Sequence, residues 1–354
     1  MNIDIKRTAT PRAKPEDERK LGFGRVFSDH MFLMEYDEDR GWHDPRIEPY
    51  RSLSIDPASP ALHYGQQIFE GLKAYRSPSG EVLLFRFRDN AERLNRSAER
   101  MCMPGIDVDE QCEAMRAIVD TERDWVPSSR GTSLYLRPAM IADGSVLGSH
   151  AAKRYIYFII CSPVGAYFKG GLAPIAIHVE DANVRAVRGG VGFAKTGGNY
   201  AASFLVAEAA SRNGYDQVLW LDGVERRYVE EVGAMNMMFV LGGVLCTPSL
   251  DGSILPGITR DSILQLARDM GLKTEERKIS IDEVIGAAES GDLREAFGAG
   301  TAAVVAPVGV LEYRGRRIEI GGGETGPIAR KLYDALTSIQ QGIADDPHGW
   351  ITRV

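Results

Sequence analysis

Residues 189–202 read GGVGFAKTGGNYAA and place a single lysine, Lys195, between two groups of glycines. Glycine has no Cβ, so such a segment leaves room for a flat group to lie against the backbone. The residues that follow predict one helix from Tyr200, with Asn199 as its N-cap, Gly214 as its terminator, and one apolar side formed by Ala202, Leu205, Val206 and Ala209. The spacing therefore predicts that Lys195 lies just before a rigid element, where an amine can form an imine with an aldehyde.

Two other interpretations of this segment remain open. Residues 189–196 run G-x-x-x-x-A-K-T and differ from a phosphate-binding P-loop only at Ala194. A P-loop follows a buried strand and opens into a helix, whereas NVRAVR precedes this segment and Gly197-Gly198 follows it. The other interpretation is a solvated glycine-rich turn whose lysine has no chemical role.

Composition narrows the class of protein. The chain has 354 residues, of which 44% are hydrophobic and 26% charged, and its net charge is -7. It has no long block of like charge, so we expect small-molecule partners rather than nucleic acid or membranes.

The 4 cysteines and 6 histidines lack ligand spacing, which predicts no metal site. The N-terminal residues do not resemble a signal peptide, so we expect a cytoplasmic protein.

Apolar runs predict strands over residues 175–179, 217–221, 235–241 and 302–308, and periodicity predicts helices from Tyr200, Thr259 and Pro327. Together these patterns predict a mixed α+β protein with two domains. We predict a flexible arm over residues 1–20, because this segment is rich in charge and proline. A small N-terminal α/β domain follows over residues 21–168, then a linker over 169–174, where glycines and a proline interrupt regular structure. The larger C-terminal domain covers residues 175–354.

An imine-forming cofactor such as pyridoxal phosphate also needs a carboxylate beside its ring nitrogen. Glu230 and Glu231, in VEEVGAMN, follow a strand-like stretch, and alternation directs their side chains to opposite sides. An exposed strand end is the ordinary interpretation of such a pair. Beside a candidate cofactor lysine, Glu231 becomes the leading partner for the ring nitrogen.

The cofactor's phosphate needs amide or cationic donors. LPGITRDS predicts a helix start at which Ile258 and Thr259 offer backbone N–H groups, although Thr259 could simply cap the helix. FGAGTAAVV contains a second turn of small residues, whose backbone donors can approach a phosphate or a carboxylate: Gly300, Thr301, Ala302 and Ala303. The helical segment around Arg93 carries three arginines on one face, and periodicity does not decide which of them points inward.

With these residues identified, the sequence resembles the branched-chain aminotransferases, the class IV group of pyridoxal-phosphate transaminases, and is most similar to their bacterial members. The resemblance covers the chain from Phe23 onward. It rests on the following segments, which occur in the family's order: FGRVFSDHM, LHYGQQIFEGLKAYR, SLYLRP, PVGAYFKGG, AKTGGNYAAS, EEVGAMN, LPGITRDS and GTAAVV.

The resemblance implies the two-domain fold type IV, which is that of the D-amino acid aminotransferases, and assigns roles to individual residues. Lys195 is then the catalytic Schiff-base lysine, Glu231 contacts the ring nitrogen, and Tyr200 binds the phenolic oxygen. The phosphate is held by Arg93, Ile258, Thr259 and Thr301. The substrate is surrounded by Phe23, Tyr64, Phe69, Tyr135, Arg137, Tyr167, Ala302 and Ala303.

The implied activity is branched-chain-amino-acid transamination, in which L-leucine, L-isoleucine or L-valine exchanges its amino group with 2-oxoglutarate by a ping-pong route. A homodimer with a shared active site is also implied. Arg137 could receive the second carboxylate of glutamate, or it could form only a structural ion pair. The competing activities are a D-amino acid transaminase, an aminodeoxychorismate lyase, a degenerate P-loop nucleotide-binding protein and a catalytically silent binding module.

Overall fold

A computed structural model describes residues 1–165, 167 and 171–354. Residues 169 and 170 of the expected linker lie outside the described residues. The chain divides into two compact units. The first contains Met1–Tyr167, Ala194–Gly197 and Ile339–Val354, and the second contains Phe168–Phe193 and Gly198–Ser338. The segment that carries Lys195 thus belongs to the first unit, although the residues on both sides of it belong to the second.

The described residues form the following strands: β1 (Asp4–Ile5), β2 (His30–Asp37), β3 (Gly41–Pro49), β4 (Gln67–Phe69), β5 (Leu72–Arg76), β6 (Val82–Phe85), β7 (Ser133–Asp143), β8 (Arg154–Val164), β9 (Ile175–Glu180), β10 (Gln217–Leu221), β11 (Val229–Val232), β12 (Met235–Leu241), β13 (Val244–Pro248), β14 (Thr274–Arg277), β15 (Leu293–Gly300), β16 (Val304–Tyr313), β17 (Arg316–Glu319) and β18 (Ile351–Arg353).

The α-helices of the described residues are α1 (Pro60–Tyr64), α2 (Phe87–Arg100), α3 (Val108–Thr121), α4 (Gly197–Ala201), α5 (Phe204–Arg212), α6 (Ile258–Asp269), α7 (Ile281–Ser290) and α8 (Pro327–Gln340). The fold is therefore α+β, as the sequence predicts. Among the described residues, no helix combines the length and apolar character needed to cross a membrane.

The first unit is built on a mixed sheet with strand order β1-β3-β2-β8-β7-β5-β6-β18, and β4 pairs with β7. Helix α2 packs on α3, and residues recurring every three or four positions on both helices are buried. On α2 this buried face includes Leu94 and Ser97. The same face carries Arg93, so the packing of α2 directs one charged side chain inward.

The second unit also contains a nine-stranded sheet, with order β11-β10-β9-β16-β15-β12-β13-β14. Because β11 also pairs with β12, six of these strands form a closed ring. Helix α6 packs against β15, and its buried residues include Ile263, Leu266 and Ala267. This packing fixes the position at which α6 begins.

The predicted helix from Tyr200 is wrong in its continuity and in its apolar face. The chain forms α4 and then α5, whose N-cap is Ser203, and the Asn199 side chain donates to Val191 O at 2.8 Å instead of capping a helix. Because of the break between α4 and α5, the residues of α5 face other directions than they would in one continuous helix. Val206 is buried as expected, whereas Leu205 is 79% exposed.

The first twenty residues make specific contacts within the first unit. Strand β1 pairs with β3, and Thr8 N–H donates to His30 Nε2 at 2.8 Å. The guanidinium of Arg12 lies 4.4 Å from the ring centroid of Tyr50. A strand pairing, a hydrogen bond and a cation–π contact thus hold this segment within the first unit. Its flexibility in solution stays a prediction.

Candidate active site

The backbone of Lys195 is held on both sides within the first unit. Its N–H donates to Ser97 Oγ on α2 at 2.9 Å, and its carbonyl accepts from Phe69 N–H at 3.0 Å. The next residue, Thr196, donates its hydroxyl to Gln67 O at 2.7 Å. These bonds join the lysine segment to α2 and β4, so the side chain starts from a fixed backbone.

Some glycines of this segment are required by packing. A Cβ at Gly192 would lie 2.1 Å from the carbonyl oxygen of Ser253, and one at Gly197 would lie 1.8 Å from Gln67 Nε2. The first contact is with backbone and cannot be relieved by a side-chain rotation. Close chain packing therefore accounts for Gly192, in addition to the room that the sequence suggests for a flat group.

Two basic side chains of the first unit lie close to the same aromatic ring. Lys195 Nζ is 4.8 Å from the ring centroid of Phe69, and the guanidinium carbon of Arg137 is 4.7 Å from the same centroid. Both distances are within the range of cation–π attraction. The Phe69 ring is thus a common contact of the Lys195 and Arg137 side chains.

A buried acid that the sequence reasoning did not single out, Glu70, accompanies Lys195. Glu70 Oε1 accepts from Arg93 Nε at 2.7 Å, and Oε2 accepts from Arg93 Nη2 at 2.9 Å. Burial alone would raise the pKa of Glu70, but the charge and hydrogen bonds of Arg93, followed by the charge of Lys195, lower it overall. The structure also selects among the arginines of α2, because Arg93 is buried whereas Arg96 is exposed.

Glu70→Gln is expected to destabilise the protein by about 3–5 kcal/mol, because it leaves the Arg93 guanidinium buried without its counter-charge. The lowered pKa of Glu70 means that its contribution is present above the ordinary value of 4.5 and is lost as pH falls through the folded-state value. Urea unfolding at neutral pH measures the effect. The control is Glu99→Gln on the exposed side of α2, and equal midpoints for the two variants would contradict the prediction.

Aromatic residues predicted to surround the substrate contact one another in the first unit. The ring of Phe23 lies 4.9 Å from that of Tyr135 and 5.3 Å from that of Tyr167, both edge to face. Arg137 Nη2 donates to Tyr135 Oη at 3.0 Å. Among the described residues Arg137 forms no ion pair and its buried Nε has no hydrogen-bond partner, which favours a carboxylate-binding role over a structural ion pair.

Tyr64 is placed differently from the other predicted substrate residues. It ends α1, it is 46% exposed, and its hydroxyl donates to Leu147 O at 2.5 Å. Leu62 and Leu147 are also largely exposed. An exposed apolar patch of this kind is typical of a surface that another protein chain covers.

In the second unit, Glu231 on β11 is a buried carboxylate with several donors. Leu255 N–H donates to its Oε1 at 3.0 Å, and Arg185 Nη2 lies 2.9 Å from its Oε2. Asn236 Nδ2 makes a longer contact with Oε1, at 3.5 Å. A cation and amide donors favour the ionised form of a carboxyl group. Glu231 can therefore face a positively charged group while remaining charged itself.

The predicted phosphate-binding residues of the second unit occupy a helix start and a turn. Ile258 and Thr259 form the first turn of α6, whose N-cap Gly257 provides no side-chain cap. The amides of such a turn attract anions. Thr301, Ala302 and Ala303 connect β15 to β16, and the next residue, Val304, has a positive φ of 63°. A β-branched residue in this conformation marks a constrained turn.

The structure disfavours a P-loop. Residues 181–194, all of them described, contain no strand, and the helix that directly follows Lys195, α4, ends after five residues at Ala201. Tyr200 lies on this helix and is half-buried. Among the described residues, no group of histidines, cysteines and acids is arranged to hold a metal ion.

Two functional candidates, Glu70 and Arg185, were missed by the sequence reasoning. Each is paired with a residue distant in the sequence, Glu70 with Arg93 and Arg185 with Glu231. The one available signal for Glu70 was a lone acid within the apolar run IFEGL. For Arg185, the sequence offered no signal beyond a charged segment next to glycines.

Comparisons with known proteins agree with one another. The family model for amino-transferase class IV matches residues 67–310. The branched-chain-amino-acid aminotransferase 2 of Bacillus subtilis (strain 168) is 53% identical over 352 residues, which are 99% of this chain and 97% of that protein. The probable branched-chain-amino-acid aminotransferase of Streptomyces coelicolor is 50% identical over 99% of this chain and 98% of that protein.

Solved structures show the same relationship. The Escherichia coli branched-chain amino acid aminotransferase has a TM-score of 0.75 at 30% identity and covers 90% of this chain and 98% of its own. The Thermoproteus uzoniensis enzyme with norvaline has a TM-score of 0.76 at 27% identity, over 92% of this chain and 99% of its own. The chain therefore belongs to the class IV aminotransferases and, among them, to the branched-chain-amino-acid aminotransferases.

Proposed function

We propose that the protein transfers the amino group of L-leucine, L-isoleucine or L-valine to 2-oxoglutarate, giving the 2-oxo acid and L-glutamate, with pyridoxal phosphate as cofactor. Class IV aminotransferases are pyridoxal-phosphate enzymes. Another solved branched-chain amino acid aminotransferase, at 26% identity and a TM-score of 0.73, is a complex with N-(5'-phosphopyridoxyl)-L-glutamate. The single observation that best supports the proposal in this chain is the buried Glu231, held by Arg185 and the Leu255 amide.

The described residues fit the cofactor. Lys195 supplies an amine on a fixed backbone, and Glu231 supplies the buried anion that a protonated ring nitrogen needs. Tyr200 is the proposed partner of the phenolic oxygen. The proposed phosphate donors combine a buried cation, a helix start and a turn of small residues: Arg93, Ile258, Thr259 and Thr301.

Pyridoxal phosphate supplies an aldehyde for the amino group and a ring that takes up the electrons of the broken Cα–H bond. With the cofactor bound, Lys195 Nζ would hold its aldehyde between turnovers and, once released, would take the proton from the substrate Cα and pass it to the former aldehyde carbon; the second half-reaction would reverse this transfer and place a proton on Cα of the incoming 2-oxo acid. Glu231 stabilises positive charge on the ring nitrogen, and the hydroxyl of Tyr200 orients the ring. Arg93 and the α6 amides position the phosphate.

The substrate surface combines apolar and cationic groups. Phe23, Phe69 and Tyr135 offer aromatic faces to an aliphatic side chain, and each buried CH₂ contributes about 0.8 kcal/mol. We propose that Arg137, which lies over Phe69, accepts the second carboxylate of glutamate. Tyr167, Ala302 and Ala303 complete the proposed substrate set. One site can then accept both an apolar and an acidic substrate.

We also propose a homodimer in which Tyr64 contributes to the site of the neighbouring subunit. Its support is the exposure of Tyr64, Leu62 and Leu147 in the first unit and of Phe204 and Leu205 in the second. Sedimentation at micromolar concentration tests this proposal. A monomer with full activity would contradict it.

Gly71→Ala is expected to raise the KM for L-leucine about tenfold with a smaller change in kcat. A Cβ at position 71 would lie 1.9 Å from Tyr135 Oη, so Tyr135 must move and lose its hydrogen bond to Arg137. Steady-state kinetics measure the effect. Gly105→Ala, where the nearest contact would be an ordinary 3.6 Å, is the control, and an unchanged KM in the position 71 variant would contradict the prediction.

A substrate panel tests the proposed function. The purified protein is incubated with 2-oxoglutarate and one of L-leucine, L-valine and D-alanine, and glutamate formation is measured; a separate incubation with aminodeoxychorismate is assayed for pyruvate. We expect turnover with the two branched L-amino acids. Turnover with D-alanine but not with L-leucine, or release of pyruvate from aminodeoxychorismate, would assign one of the competing class IV activities instead.

A further inference from the structure

Two adjacent glutamates on β11 are equally buried but have different partners. Glu230 and Glu231 are each 4% exposed. Glu231 is bonded to Arg185 and to the Leu255 amide. Glu230 Oε1 lies within hydrogen-bonding distance of Ser253 Oγ, whereas its Oε2, buried beside a cavity of about 100 Å³, has no hydrogen-bond partner among the described residues. One carboxyl group is thus surrounded by donors and the other is not.

The hydrogen count at Ser253 indicates where a proton lies. Ser253 Oγ contacts Glu230 Oε1 and is also 2.8 Å from Asp251 Oδ1. A hydroxyl has one hydrogen and cannot donate to two carboxylates at once. Asp251 is paired with Arg188 at 2.6 Å, which favours its ionised form. Both contacts are satisfied when Glu230 is a neutral acid that donates to Ser253 Oγ, while Ser253 donates to Asp251.

Ser253 also connects this acid to the groups that hold Glu231. Its carbonyl oxygen accepts from Arg185 Nη2 at 2.7 Å, and the same nitrogen lies 2.9 Å from Glu231 Oε2. Two residues further along the chain, the Leu255 amide donates to Glu231 Oε1. The position of segment 251–255 therefore determines both bonds to Glu231.

We propose that Glu230 is a positioning residue for Glu231. As a neutral carboxylic acid, Glu230 donates a hydrogen bond to Ser253 Oγ. This bond fixes the segment that holds Arg185 and the Leu255 amide against Glu231. The contribution of this arrangement to catalysis rests on the proposed role of Glu231. The protonation of Glu230 is independent of that proposed role.

The charges around Glu230 agree with a neutral acid. Burial raises the pKa of Glu230 to about 7; the charge of Arg185 opposes that rise, and the charges of Asp251 and Glu231 add to it. The titratable and charged groups that line the cavity or adjoin Glu230 are Arg185, Arg188, Asp222, Glu225, Tyr228, Glu231, Asp251 and Lys278.

The raised pKa of Glu230 also determines whether the stability of the protein rises or falls with pH. In the folded protein the pKa is about 7, above the ordinary value of 4.5, so the contribution of Glu230 to stability is complete below 4.5 and is lost as pH rises through about 7. Between about pH 5 and 8 the thermal midpoint of the wild-type protein should therefore fall relative to that of Glu230→Gln.

The test compares Glu230→Gln, whose amide can still donate to Ser253 Oγ, with Glu230→Leu, which cannot. Glu225→Gln, an exposed change at the same cavity, is the control. In the holoenzyme we expect kcat within about twofold of wild type for Glu230→Gln and about tenfold lower for Glu230→Leu, with KM for L-leucine nearly unchanged, since a lost positioning hydrogen bond weakens only the step that uses Glu231.

Infrared difference spectra give a readout that is independent of turnover. We expect a protonated carboxyl C=O band in the wild-type protein at pH 6 that disappears as pH rises through about 7, that is missing in Glu230→Gln and that persists in Glu225→Gln. An inactive protein that shows this band would contradict the proposed function and leave the proton on Glu230 established. Absence of the band from the wild-type protein, or equal kcat values for the Gln and Leu variants, would overturn the inference.

Discussion

Lys195→Ala is expected to lower turnover at least about 10³-fold and to remove the visible absorbance of the purified protein. The variant loses both the amine that holds the cofactor and the base that moves the substrate proton. Single-turnover mixing with L-leucine, followed by quantification of the 2-oxo acid, measures the loss.

The control for this variant is Lys153→Ala, which removes an exposed lysine paired with Glu38 in the same unit. It should retain the activity and colour of the wild-type protein. The fold should survive Lys195→Ala, because the bonds of the segment to Ser97, Gln67 and Phe69 use backbone atoms of residue 195 or the side chain of Thr196. Normal turnover by the alanine variant would contradict the proposed mechanism.

Glu231→Gln is expected to lower kcat about 10²- to 10³-fold, because a neutral amide stabilises positive charge on the ring nitrogen poorly. The change also has a structural cost. It leaves Arg185, only 9% exposed, without its counter-charge, so we expect a loss of about 3–5 kcal/mol in the free energy of unfolding.

A double variant separates these two effects. Combining Glu231→Gln with Arg185→Met removes the uncompensated buried charge and should recover a large part of the stability. The same double variant should remain as slow as the single one, because the charge opposite the ring nitrogen is still missing. Recovery of kcat together with stability would show that Glu231 acts only as a structural partner of Arg185.

The elements that sequence reasoning predicted best are short apolar runs between clear turn residues. Gln217–Leu221 and Met235–Leu241 are strands with the predicted bounds, because their burial is nearly continuous and little else competes with pairing. The strand predicted over 302–308 instead begins at Val304, since Ala302 belongs to the turn. Small residues fit strands and tight turns equally well, so the pattern could not locate this boundary.

The candidate site could be predicted in its parts but not in its pairings. Residue types and spacing pointed to Lys195 and Glu231 as candidates. Periodicity could not distinguish Arg93 from its neighbours on α2, because that choice depends on Glu70, which lies on another element. Likewise, alternation assigned opposite directions to Glu230 and Glu231 but gave no reason to expect that both would be buried. Burial arises from tertiary packing that no local pattern records.

The most direct test of the central claim is chemical identification of the lysine that carries the cofactor. The purified holoenzyme is reduced with borohydride, digested and analysed by mass spectrometry for a phosphopyridoxyl group. Lys73 is the strongest competitor in the same unit, since burial lowers its pKa to about 8. The account predicts the modification on Lys195 alone; a modification on Lys73, or on no lysine, would contradict it.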